Sequence, residues 1–362
     1  VDGRSPVAIL SSTFSDELAV HYGGRSKIFG VSVKDRGAVS LAGHAGKAFW
    51  FSKSSGEFVT SNYYYDQYPE WVNAFNAGKP ALRYAGKSWE LSHAPSDYLF
   101  GDADDRDYET DFPGFGRTFP HPYGAGDDKY FTTRLTLSPA GDELTLDFAR
   151  ALLDNEQLGQ DEIPDYLAIS FSSTDYVGHL FGASSLETED NMARLDRTLA
   201  KLFAHVDSKV GLDNTLIVLS ADHGQPEVPG HLHERGIMDA HYFDTDALDK
   251  TPAIEALKQR FGIGEELIET YSQPYVYLNL DLIRDKGLDQ AAVELAVAEE
   301  LEKFDGVAAA VSSTALRTAS LPDTLLMRSI LRNFHPKRSG DIYLVFEPNV
   351  FINDFDGLVV SS

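Results

Sequence analysis

The chain has 362 residues, 43% of them hydrophobic, and carries 31 Lys and Arg against 56 Asp and Glu for a formal charge of −25. That size supports a real core, in one large α/β domain or two smaller ones; the acidic surplus excludes binding along a nucleic-acid backbone but leaves open a small phosphorylated substrate in a local cationic pocket. Cysteine is absent, so disulfides and thiolate ligands are excluded and any metal must sit on Asp, Glu and His, and no apolar run reaches the roughly 18 residues of a membrane span.

The first residues, Val1-Asp2-Gly3-Arg4-Ser5-Pro6, show neither an initiator Met nor signal-peptide architecture and read as a processed or excised start. A short strand over 7–10 precedes a helix capped at Ser12 or Thr13. Residues 27–33 read as a strand that runs into Lys34-Asp35-Arg36. Cations directly after a strand can meet substrate oxygens, although spacing alone reads them as a solvated turn. Residues 37–70 read as further short strands with cores at 48–51 and 58–60, and Tyr63, Tyr64, Tyr65 and Trp71 as packing under a loop. Residues 76–130, rich in Gly, Pro, Asp and Tyr, read as an inserted cap or long loop. Within it Asp102, Asp104, Asp105 and Asp107 lack the Gly and Glu of an EF-hand loop and read as an acidic turn. A helix follows over 144–158.

The apolar run 166–171 reads as a buried parallel strand that empties into Asp175 and His179. The same pattern returns at 215–220, which leads into Asp222 and His223. Between them Ser184-x-x-Glu187 forms a capping box, and Met192, Leu195, Leu199, Leu202, Phe203 and Val206 form the core stripe of a helix. Strand, helix and strand make a right-handed βαβ unit, and from it follows a doubly wound, mostly parallel α/β sheet with helices on both faces. Such sheets build sites at the carboxyl ends of strands. Two carboxylates and two imidazoles there are a zinc-type donor set, and other first-row metals are open. Each Asp-His pair supplies only two ligands where a catalytic site takes three from protein; buried hydrogen-bonded pairs are the competing reading. Residues 225–250 read as irregular, 251–260, 265–270 and 289–304 as helical, and 275–278 and 342–346 as strands.

The residues 172–182 with Asp175 and His179, the Ala221-Asp222-His223-Gly224 segment, Ser32-Val33-Lys34-Asp35-Arg36, Thr60-Ser61-Asn62-Tyr63-Tyr64 and the 335–341 stretch from His335 to Asp341 together resemble the alkaline phosphatase superfamily. The type I phosphodiesterase/nucleotide pyrophosphatase branch is the nearest, and within it the periplasmic bacterial alkaline phosphatases that use a threonine nucleophile. The resemblance covers nearly the whole chain. It implies one alkaline phosphatase-like α/β domain over 1–362, a phosphate monoesterase activity with two zinc ions and a covalent phosphothreonine, and a periplasmic or secreted location. Asp175 and His179 would ligate one zinc, Asp222 and His223 the other. Lys34 and Arg36 would bind the non-bridging phosphate oxygens and favour dianionic monoesters over diesters. The family's first metal-binding Asp, its nucleophilic Thr and a phosphate-contacting Asn fall upstream of Ser5-Pro6, and its last zinc-binding His falls beyond the strand near 342–346. The chain therefore reads as truncated at both ends, with the nucleophile not present in it. Thr13, Thr174, His231, His233 and His241 stand outside the family's site motifs, and His335 lies in a motif other than the His-Gly element of the last zinc-binding His. A phosphodiesterase or nucleotide pyrophosphatase is the alternative, and so is a catalytically silent metal- or phosphate-binding module.

Overall fold

Strand Ile28–Ser32 is the spine of the first of two compact units, residues 1–227 and 228–362, in a computed structural model that describes residues 3–355 and 358–361 and side chains as far as residue 352. Val1 and Asp2, in the stretch read as a processed or excised start, lie outside the described residues. Every residue of the spine strand is buried, as its apolar and small side chains allow. It pairs in parallel with Lys47–Ser52 on one side and with Tyr166–Ser170 on the other. Glu57–Val59 adds an antiparallel strand beyond Lys47–Ser52. Because Ser32 lies opposite Ser170, two strands finish side by side at the same edge.

The helix Asp35–Ala42 packs back onto the spine strand with Ala38, Val39 and Ala42 buried. Gly30 permits the approach: a Cβ there would lie 2.3 Å from the Ala38 carbonyl oxygen. The helix Pro139–Asn155 contacts both the spine and Tyr166–Ser170. Its Phe148 stacks on Phe58 at 4.3 Å between ring centroids and leans on Phe49, tying the helix to the sheet. Unit one is thus α/β, with three of its four main strands parallel, in the class read from the sequence.

Several local expectations are corrected. Residues 7–10 form no strand: Pro6 starts a single 3₁₀ turn, Pro6–Ala8, and Val7 and Leu10 face solvent. The expected helix after it is present as Phe14–His21 and does start at Thr13, with a reciprocal capping box to Asp16. Residues 35–42 are helix, where a turn at 34–36 and short strands from 37 were expected, since the buried positions 38, 39 and 42 repeat at helical spacing. Asp175 and His179 sit on a helix, Ser173–Phe181, and not in a loop. The next helix, Leu186–Lys209, is capped by Ser185 and not by Ser184. Its stripe is only half-buried, with Met192 exposed.

The largest departure is at 215–220. The run forms no strand, and Leu216, Val218 and Leu219 are 89%, 81% and 78% exposed. The expected βαβ unit is not closed, and Tyr166–Ser170 is the half-buried edge of its sheet. Apolarity and β-branching suit a pleated surface only when a neighbouring edge supplies hydrogen bonds, and here the run does not take that edge.

In the second unit, Val307–Ser312, Ile342–Phe346, Tyr275–Leu278 and Ile268–Ser272 form an antiparallel sheet in that order. Ile268–Ser272 replaces the helix expected over 265–270; its β-branched Ile268 and Thr270 suit a hairpin strand. Helices Pro252–Phe261 and Gln290–Leu301 supply Ile254, Leu257, Val293, Val297 and Leu301 to a core shared with that sheet. His241–Phe243 pairs with Val350–Phe355, giving structure to part of the span read as irregular.

Candidate metal and phosphate site

Three strand ends bring charged side chains to one edge of the first unit's sheet. After Ile28–Ser32, Lys34 is the N-terminal cap of Asp35–Ala42 and Arg36 stands in its first turn. After Lys47–Ser52 comes Lys53, and after Tyr166–Ser170 come Asp175 and, one helical turn on, His179. Small hydroxyls tie the edge together. Ser172 Oγ lies 2.9 Å from Ser32 Oγ and 2.7 Å from Ser170 Oγ, and the Lys34 amide donates to Ser32 Oγ at 3.0 Å. From the other side Asp142, buried on the helix Pro139–Asn155, accepts the Ser173 amide at 3.0 Å and the Thr174 hydroxyl at 3.4 Å.

Asp175 is the hub. Its Oδ1 lies 3.3 Å from His179 Nε2 and 3.7 Å from His223 Nε2, and its Oδ2 takes a hydrogen bond from the Lys34 ammonium. Burial alone would raise this carboxyl, but the bonds from His179 and Lys34 outweigh it and hold the group well below the usual carboxylate range. His223 Nε2 also lies 3.5 Å from Asp222 Oδ2, while its Nδ1 is 2.8 Å from the Gly224 carbonyl. Asp222 joins the cluster only through His223, and its carboxylate is largely in solvent.

Two residues assigned no role from sequence belong here. Tyr176 receives the Lys34 ammonium at 4.2 Å and the Lys53 ammonium at 4.6 Å from its ring centroid. Lys53 has its pKa lowered by burial first and then by the nearby charges of Lys34 and Arg36. Lys34, Arg36 and Lys53 therefore form one cationic patch. Lys53 follows a strand end just as Lys34 does, and that shared position was the available signal.

Among the described residues no group of three or more His, Asp or Glu side chains encloses one ion position. Taken as pairs, the donors have a spacing that two ligands of one ion could also have. Two ligands of one tetrahedral zinc, each about 2.0–2.1 Å from the ion, lie roughly 3.3 Å apart. The 3.3 Å between Asp175 and His179 and the 3.5 Å between Asp222 and His223 match that spacing, and carboxylate with imidazole is a donor set suited to it. The Lys34 ammonium on Asp175 Oδ2 shows that this carboxylate already attracts a cation. His231, His233 and His241 lie in the second unit.

Comparison with known proteins gives the chain its family. Residues 41–359 match the family described as Type I phosphodiesterase / nucleotide pyrophosphatase. The chain is 36% identical over 362 residues to a Myroides odoratus protein named calcium-transporting ATPase, covering 99% of this chain and 65% of that one. It is 35% identical over 351 residues to alkaline phosphatase PafA of Elizabethkingia meningoseptica, covering 95% and 63%, and 34% identical over 349 residues to alkaline phosphatase PhoV of Synechococcus elongatus, covering 95% and 61%. The crystal structure of wild type PafA superposes with a TM-score of 0.87 at 33% identity, covering 99% of this chain and 68% of that one. The chain thus spans 61–65% of the length of these curated relatives. With a match over most of its length and an α/β fold shared with a solved relative, the chain belongs to the type I phosphodiesterase / nucleotide pyrophosphatase family of the alkaline phosphatase superfamily.

Proposed function

We propose that this chain carries the phosphate-binding patch and part of the metal-binding site of a phosphate monoester hydrolase of the alkaline phosphatase type. The observation that carries the reading is Asp175, one carboxylate with two imidazoles at one oxygen and an ammonium at the other, on the carboxyl edge of a parallel sheet. Two alkaline phosphatases among the relatives support the same reaction class.

Lys34, Arg36 and Lys53 hold the non-bridging oxygens of the phosphoryl group. Three cations match the dianionic charge of a monoester better than the single charge of a diester. Tyr176 keeps Lys34 and Lys53 on its ring, so the patch is set before substrate arrives. Asp175 with His179 would hold one zinc ion and Asp222 with His223 a second; when bound, these ions supply Lewis acidity at a phosphoryl oxygen. Hydrolysis breaks the ester P–O bond, forms a P–O bond to water oxygen and hands the proton to the leaving alkoxide. Thr174 is not the attacking group, because its hydroxyl accepts from Asn191 Nδ2 at 3.0 Å and faces Asp142. A periplasmic or secreted location accompanies this reading; among the described residues no helix is long and apolar enough to cross a membrane.

The test compares an aryl phosphate monoester with the matching diester on the full-length protein, with zinc and with chelator. Zinc-dependent turnover that favours the monoester, and a preference that shrinks in Lys34→Ala/Arg36→Ala, supports the assignment. A faster diester, or turnover indifferent to chelation, overturns it.

A further inference from the structure

A second cationic site lies in the same unit, in a cavity of about 480 Å³ that none of Lys34, Arg36, Lys53 or Asp175 lines. Five cations line it: Arg83, Lys87, Arg150, Arg194 and Lys201. The helix Pro139–Asn155 contributes Arg150, the helix Leu186–Lys209 contributes Arg194 and Lys201, and the segment between Pro80 and Trp89 contributes Arg83 and Lys87.

Two of these cations are already matched. Arg83 pairs with Asp147, and Arg194 Nε donates to the buried Asp190 at 2.7 Å. Glu143, the other carboxylate on the wall, accepts the Tyr84 hydroxyl at 2.6 Å. That leaves Lys87, Arg150 and Lys201, which form no ion pair among the described residues, and Arg150 Nε is buried with no hydrogen-bond partner there. A buried guanidinium nitrogen left unbonded is costly. Against Asp147, Asp190 and Glu143 the five cations still leave a positive excess around one cavity, unusual in a chain of net charge −25. The floor is rigid, because Trp89 donates to Asp190 at 2.6 Å and is itself fully buried.

We propose that this cavity is a binding site for a polyphosphate, either inorganic or the phosphate arm of a nucleotide. Such a ligand presents several negative oxygens in a row, enough to meet Arg150, Lys87 and Lys201 together. The volume lies within the range of small-molecule sites, and the wall is too polar for an apolar ligand. The site would hold polyphosphorylated compounds on a surface whose net charge otherwise repels them, and it stands whether or not the hydrolase assignment does.

Calorimetry with inorganic tripolyphosphate, in chelator so that no metal-dependent turnover intrudes, tests it on the full chain. Arg150→Gln should weaken binding by about tenfold or more, the loss of one charged hydrogen-bonding group. Lys87→Gln/Lys201→Gln, at exposed positions that leave folding undisturbed, should do the same. Lys34→Ala/Arg36→Ala should bind within about twofold of the native chain, on the same scale. ATP binding like tripolyphosphate while adenosine fails to compete identifies phosphate as the recognised group in both sources. No tripolyphosphate binding by the native chain, binding unchanged in both cavity variants, or loss only in the Lys34/Arg36 variant overturns the proposal.

Discussion

Oδ1 of Asp175 faces two imidazoles while Oδ2 faces an ammonium, so three partners depend on one charge. Asp175→Asn keeps the shape and removes that charge. In our reading of the site it should weaken zinc binding by at least the 10–100-fold lost when a supporting group around a metal is changed. A zinc titration read by calorimetry, alongside activity, checks this; unchanged affinity would remove Asp175 from the metal site. A different buried acid offers a pH signature. Glu109 is buried with both carboxylate oxygens lacking a hydrogen-bond partner among the described residues, and burial above all pushes its pKa up to about 9. His121, beside Glu187, is pushed down to about 4, chiefly by burial. Its Nδ1 lies 3.3 Å from the Phe115 carbonyl, an acceptor, so Nδ1 carries the proton and Nε2 accepts. Glu187, 3.2 Å from that Nε2, must then donate and is protonated, in line with its own pKa being raised by burial. For Glu109 the folded chain keeps a proton that the unfolded chain releases near 4.5. Its contribution to stability is therefore full below pH 4.5 and is lost as pH rises through about 9. Glu109→Gln removes that loss. Thermal unfolding should show the variant's Tm advantage over the native chain widening from pH 5 to pH 9, by on the order of 4 °C; a constant difference would refute it.

Between elements, the decisive contact is the one that docks the Asp175 helix. Asp142 reaches from the helix Pro139–Asn155 to the Ser173 amide and the Thr174 hydroxyl, and it is buried. Asp142→Ala strands those donors, which costs about 1–3 kcal/mol and should lower Tm by roughly 2–4 °C per kcal/mol. It should also loosen Asp175, so zinc affinity falls with stability. A destabilised variant with native zinc affinity would show that this contact serves folding alone. Much of this scaffold was legible in the sequence. The spine strand, Lys47–Ser52, Tyr166–Ser170 and the helix after residue 139 all carry continuous apolar runs or helical periodicity, and each found a packing or pairing partner. The failures share a cause. Residues 215–220 have a strand's composition, but pairing depends on an edge that local pattern does not encode. Asp175 and His179 were read as loop because the small polar residues before them look like a turn, yet Val177, Leu180 and Phe181 supply a buried helical face. Lys53 was missed because a single lysine between serines after a strand end is a weak signal; the parallel register is what sets it beside Lys34 and Arg36.

For the whole molecule, charge sets up a contest between distant repulsion and local attraction. A formal −25 repels a dianionic ester from afar, while Lys34, Arg36 and Lys53 attract it at contact. The two act over different lengths. At 10 mM ionic strength the screening length is about 30 Å, and at 100 mM about 10 Å. Added salt in this range therefore removes most of the repulsion and leaves the short-range cation–phosphate contacts largely intact. In our reading of the function, kcat/KM for a monoester should rise with salt, by on the order of twofold or more, before falling once contacts are screened as well. Lys34→Ala/Arg36→Ala, with less attraction to lose, should show the rise without the later fall. Stopped-flow or steady-state rates across 10–500 mM salt decide the matter. A kcat/KM that falls from the lowest salt onward would mean that the local patch governs approach at long range, and that the acidic surplus lies on faces the substrate never passes.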